Sequence, residues 1–115
     1  MTTAITIKVR RQGKQMQIQK VNLEDIVDNH VQLKIVDRNL NFKKAHAIAK
    51  QAAKELSADP MLLSWYQGKT GKFYPDFECG RSDKPAWILY AESRGGDTAI
   101  NINNGEYIFI YLSMD

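Results

Sequence analysis

Four polar residues crowd a diglycine: Glu92, Ser93 and Arg94 precede Gly95-Gly96, and Asp97 follows it. A sharp bend there could present a carboxylate, a hydroxyl and a guanidinium to a small anion or polar ligand. The plainer use of the same residues is a structural turn in which Glu92 and Arg94 pair with neighbouring strands. Cys79 lies near Arg81 and Lys84 in sequence, cations that can lower a thiol pKa, while Glu78 pulls the other way. No motif puts His30 or His46 beside it as a base, so an inert thiol is the simpler reading. Cys79, Glu92, Ser93, Arg94 and Asp97 form the candidate ligand-binding set. No catalytic residue is assigned, and no metal or cofactor is expected, because neither ligand spacing nor a phosphate loop stands out.

Two further groups carry charge or π-surface. Lys43, Lys50 and Lys54 fall on one side of a helical period and form a basic stripe. The first 22 residues hold Lys8, Arg10, Arg11, Lys14 and Lys20 and no acid, which leaves 11 basic against 13 acidic side chains in the remainder. Together these could track a phosphate backbone, yet a lysine face is more often simply solvated, and no recognition-helix pattern accompanies it. Nucleic acid is therefore not an expected partner. Trp65, Tyr66, Phe73, Tyr74 and Phe77 could wall a ligand or stack bases, although packing is the commoner use of such a group.

The elements that must position these residues follow from hydrophobic period. Ile5, Ile7 and Val9 alternate with polar residues, as do Met16 and Ile18, which predicts an N-terminal hairpin turning at Gly13. Residues 23–29 show no clean period and read as a short helical turn or a connector. Val31, Leu33 and Ile35 predict another strand. Ala45, Ile48, Ala49, Ala52, Ala53 and Leu56 share one helical face, with Asn41 or Asn39 as the cap and Pro60 as the stop. Residues 61–66 are bulky and apolar and predict a strand, and residues 72–85 form a connection longer than most in a compact domain.

Residues 87–112 read as a three-strand meander with glycine turns at Gly95-Gly96 and Asn104-Gly105, the latter a favoured pair for a tight type I′ hairpin. The last strand is apolar on both faces, Tyr107, Phe109 and Tyr111 on one and Ile108, Ile110 and Leu112 on the other. It must therefore lie inside the sheet or meet a partner.

At 115 residues, with 43% hydrophobic and 25% charged side chains, one domain spanning residues 1–115 is expected, without solenoid repeats. The lone cysteine and the absence of an apolar run of about 20 residues suit a cytoplasmic protein, and no membrane partner is expected.

The segments SWYQGKTGKFYP (residues 64–75), KPAWILYAESRGG (84–96) and NNGEYIFIYL (103–112) resemble a small family of uncharacterised proteins from anaerobic bacteria and archaea, classed as a domain of unknown function. The resemblance spans roughly residues 31–112 and implies a small cytosolic α+β protein, with no activity to transfer. Members of that family tend to carry a second cysteine where this chain has Gly80, so it implies no paired-thiol role here.

The fold expected is α+β: a mainly antiparallel sheet covered on one face by a single amphipathic helix, with the N-terminal hairpin added. The leading functional expectation is a non-catalytic module that self-associates through apolar sheet surface as a homo-oligomer, with residues 73–84 near the contact. The alternatives are a small-molecule site at the five candidate residues and a non-specific nucleic-acid binder.

Overall fold

A computed structural model describes residues 4–10, 27–75 and 85–114. Its elements are β1 (Ala4–Arg10), β2 (Asn29–Val36), α1 (Phe42–Lys54), β3 (Pro60–Gln67), β4 (Phe73–Tyr74), α2 (Ala86–Ser93), β5 (Thr98–Ile102) and β6 (Tyr107–Ser113). The chain is α+β, with a mixed sheet in the order β1-β2-β5-β6-β3-β4. β2 and β5 pair in parallel, whereas β1 with β2, β5 with β6, β6 with β3, and β3 with β4 are antiparallel.

The layering follows from this order. β3 is antiparallel to β6, which is antiparallel to β5, so β2, β3 and β5 all run the same way. The chain crosses the sheet from β2 through α1 to β3, then returns from β3 through α2 to β5. Such crossovers strongly prefer one hand, so travel in opposite directions puts the two helices on opposite faces. Side-chain packing agrees. Ala45, Ala49 and Ala53 of α1 lie against Tyr107, Phe109 and Tyr111 of β6 and Ile100 and Ile102 of β5. Trp87, Ile88 and Ala91 of α2 lie against Ile108 and Ile110 of the same β6 strand and Ala99 of β5.

Two expectations are corrected here. Among the described residues the sheet is covered by two helices, one on each face, rather than by a single helix on one face. The first strand of the expected meander, beginning at Trp87, is instead α2, and only β5 and β6 of that meander are strands. The residues 86–93, AWILYAES, have no polar stripe because Ala86, Trp87, Ile88 and Ala91 are all buried, and a helix buried over much of its circumference loses the amphipathic period that marks helices. Its boundary chemistry is nevertheless helical. Pro85 is the N-cap in an extended conformation, and Gly95 is left-handed with φ 82°. The Gly96 amide donates to Ala91 O at 2.8 Å and the Gly95 amide to Glu92 O at 3.1 Å, the double bond of a Schellman cap. The diglycine therefore ends a helix and does not turn a hairpin.

Ala45, Ala49 and Ala53 are buried as the helical period requires, whereas Leu56 lies past the end of α1 and is exposed. Asn41 caps α1, its Oδ1 accepting the Lys44 amide at 2.9 Å, a bond typically worth about 1 kcal/mol to a helix. The two faces of β6 separate as its alternation requires, and the strand is internal. Of the expected N-terminal hairpin, β1 is present but pairs with β2 from Ala4↔Val36 to Arg10↔His30. The second arm, with Met16 and Ile18, lies outside the described residues. Within residues 72–85, Phe73 and Tyr74 form β4, and residues 76–84 are likewise outside.

Candidate functional site

The structure describes four of the five candidate residues, Glu92, Ser93, Arg94 and Asp97; Cys79 lies outside the described residues. Glu92 and Ser93 are exposed on the last turn of α2, and the exposed Arg94 is its C-cap. The Ser93 hydroxyl donates back to Tyr90 O at 2.8 Å. The Arg94 guanidinium sits 4.5 Å above the Tyr90 ring, a cation–π contact. Asp97 has a different neighbourhood. Its Oδ1 accepts from Thr98 Oγ1 at 3.0 Å and from the Ser113 hydroxyl and amide, both at 3.2 Å. Those bonds clasp the end of β6 to the start of β5, so the Asp97 carboxylate is largely consumed in joining strands.

The aromatic residues serve packing. Tyr66 stacks on Trp87 with centroids 5.1 Å apart, and Trp65 meets Phe42 at 4.7 Å and Tyr74 at 6.2 Å. His46 stacks on Phe109 at 5.4 Å. Phe73 packs at the margin of the α2 cluster, and Phe77 lies outside the described residues. Lys43, Lys50 and Lys54 are all exposed on α1. Burial pushes the Tyr111 phenol well above its usual range, which keeps it protonated rather than available as a base.

A concave site lies elsewhere, at the carboxyl ends of the parallel neighbours β2 and β5. A cavity of about 550 Å³ is lined there by Gln32, Leu33, Lys34, Ile35, Val36, Asn103 and Asn104. The chain leaves the end of β2 toward α1, whereas β5 turns directly into β6, and the crevice opens where the two paths part. Gln32 is half-buried, while Lys34, Val36 and Asn104 are exposed.

The wall of the cavity is built by the β5–β6 loop. That loop is four residues long, 103–106, rather than the two-residue turn expected at Asn104-Gly105, because Ile102 pairs with Tyr107. Asn103, Asn104 and Gly105 all have positive φ, at 52°, 55° and 96°. Asparagine tolerates this region better than most side chains. Two asparagines also hold the loop through their side chains. Asn101 Oδ1 accepts the Gly105 amide at 2.7 Å. The Asn103 side chain accepts the Ile35 amide at 2.8 Å and donates to Ile35 O at 3.3 Å, so it continues the β2–β5 ladder one step past the end of β5. It also donates to Glu106 Oε1 at 3.0 Å. Glu106 in turn binds Lys69 at 3.1 Å, and that hydrogen bond and charge raise the lysine pKa.

Sequence reading passes over Gln32, Lys34, Asn103 and Asn104 as site residues. The available signal is the Asn-Asn-Gly run, which favours consecutive left-handed residues and so fixes a rigid loop beside a strand end. Replacing Asn103 with alanine is expected to destabilise the fold by about 2–3 kcal/mol, since it orphans both Ile35 backbone groups and strains a left-handed residue. Urea unfolding would check this; a loss below about 0.5 kcal/mol would show that the amide is not part of the ladder.

The fold and the cavity define a small α+β protein with a mixed sheet between two helices and a ligand-sized crevice at parallel strand ends. The chain belongs to the family described as Domain of unknown function (DUF5619), which matches residues 28–111. An uncharacterized protein of Archaeoglobus fulgidus is 32% identical over 74 residues, covering 64% of this chain and 78% of its own. A crystal structure from the same organism, described as that of a novel non-family-model protein, AF1514, is similar with a TM-score of 0.64 at 24% identity. It covers 75% of this chain and 94% of its own, a likeness of fold. The family has no assigned function, and these relatives bring no catalytic activity to this chain. No helix among the described residues is long and apolar enough to cross a membrane.

Proposed function

We propose that the chain is a non-catalytic binding module whose ligand seat is the cavity at the carboxyl ends of β2 and β5. The observation that carries this reading is a cavity of about 550 Å³, a size typical of small-molecule sites, walled by a hydrogen-bonded loop. Its described lining offers the exposed Asn104 amide, one ammonium from Lys34 and aliphatic surface from Val36, over the backbone of residues 32–36. Such groups bind and orient; none is a carboxylate, imidazole or thiol. The ligand that fits this chemistry is a small polar molecule with an anionic group for Lys34 and a short apolar part for Val36.

A thermal-shift screen of anionic small molecules tests this, because a ligand that binds only the native state raises the melting temperature. At a ligand concentration 100 times its Kd the expected gain is about 2.7 kcal/mol, and Lys34→Glu should remove it while leaving the unliganded melting temperature nearly unchanged. A hit whose stabilisation survives Lys34→Glu would place the ligand elsewhere and end this reading. The set of Cys79, Glu92, Ser93, Arg94 and Asp97 supports a small-molecule site less well, because the carboxylate of Asp97 is committed to Thr98 and Ser113. Self-association through the free face of β6, the leading expectation from sequence, loses its basis, since α2 lies on that face.

A further inference from the structure

We propose that β1 is an exchangeable strand and that its seat, the outer edge of β2, accepts residues 4–10 of a second copy of this chain, giving a strand-swapped dimer. The inference is independent of the ligand seat. It starts from the backbone of β2. The Asn29 amide donates to Asp97 O, Leu33 O accepts the Asn103 amide, and both Ile35 groups are taken by the Asn103 side chain. Odd-numbered residues thus bond toward β5. By alternation, the amides and carbonyls of His30, Gln32, Lys34 and Val36 turn toward β1, in register with Arg10, Lys8, Thr6 and Ala4.

Without β1 this edge is a row of unpaired donors and acceptors, a template for another strand. The family match begins at residue 28, one residue before β2, so the edge belongs to a unit defined without β1. Among the described elements the extensive contacts of β1 are with β2 alone. A hairpin between adjacent antiparallel strands needs only two to five residues, yet 18 residues separate Arg10 from Asn29. Counted only as far as Val27, which is packed in the α2 cluster, the connection can reach about 55 Å when extended, more than the 45 Å long axis of the molecule. It is long enough to carry β1 to the β2 edge of a neighbouring copy. The register is unchanged by the exchange, so the same backbone bonds form in either arrangement and a second copy of this chain is the partner that fits the seat.

Engineered cysteines in the full chain decide between the two arrangements. Lys8 and Gln32 are direct register partners, and a hydrogen-bonded antiparallel pair sits about 5.5 Å apart at Cα, within disulfide range. With Cys79→Ser as background, chains carrying only Lys8→Cys are mixed with chains carrying only Gln32→Cys, co-refolded at high protein concentration and oxidised. The expected product is a covalent pair of unlike chains, with light scattering showing dimers of the unmodified protein under the same conditions. Lys8→Cys mixed with Lys50→Cys, exposed on α1, reports random collision and should give little product. The proposal is overturned if the unlike pair forms no faster than this control. It is equally overturned if the Lys8→Cys/Gln32→Cys double variant closes only within single chains at every concentration. A double variant that forms no disulfide in either arrangement would refute the β1–β2 register itself and the proposal with it.

Discussion

Trp87→Ala is expected to destabilise the protein by about 3–5 kcal/mol, the cost of removing a large aromatic from a packed interior. Trp87 is fully buried, and its ring lies against Tyr66 with centroids 5.1 Å apart and planes within 11°. It is the largest side chain by which α2 holds the sheet. With it gone, the face of β6 formed by Ile108 and Ile110 loses much of its cover, and a second symptom should follow: dye binding and association that rise with protein concentration. Trp87→Phe, which keeps a stacked ring, should recover much of the loss. Chemical denaturation of the three proteins checks this. A cost below about 1 kcal/mol for the alanine variant would mean that α2 is not seated as described.

Gly68→Ala should be nearly as damaging for an unrelated reason. The Gly68 amide donates to Glu106 O at 2.8 Å, which brings the β3–β4 turn against the β5–β6 loop. A Cβ at Gly68 would overlap the Gly105 carbonyl oxygen and lie 3.1 Å from its carbon, and a backbone obstacle cannot rotate away as a side chain can. The expected cost is about 3 kcal/mol, a fall of roughly 10–20 °C in melting temperature for a domain of this size. Gly71 provides the contrast. Its φ is 78° but nothing lies within 4 Å of the point where a methyl group would stand, so Gly71→Ala should cost only the left-handed backbone strain, about 1–2 kcal/mol. If the two variants melt together, the close approach of the two loops is not a structural requirement.

Several elements could be read from residues alone because their physics is local. The 3.6-residue spacing from Ala45 to Ala53 and the Asn41 cap specify α1, since both act within a few residues. Alternation specifies β2, and it assigns Tyr107, Phe109 and Tyr111 to one face of β6 and Ile108 and Ile110 to the other. The same alternation requires that both faces be covered but cannot say by what. The cover on the second face is α2, and a short, uniformly apolar run such as residues 86–91 has no period to tell a buried helix from a buried strand. The diglycine is ambiguous for the same reason: positive φ suits a hairpin and a Schellman cap alike, and the choice depends on what precedes it.

The candidate sites divide along the same line. Glu92, Ser93, Arg94 and Asp97 stand out because they are neighbours in sequence, yet Asp97 turns to Ser113, sixteen residues away, to tie two strands together. The cavity joins Gln32 and Lys34 to Asn103 and Asn104 through the parallel pairing of β2 with β5, an association across some seventy residues. Local period determined that β1, β2, β3, β5 and β6 become strands and that residues 42–54 become the first helix. Only tertiary structure decided where the second helix goes, which glycine must have no side chain, and where a ligand-sized cavity opens, because each depends on backbone brought together from distant parts of the chain.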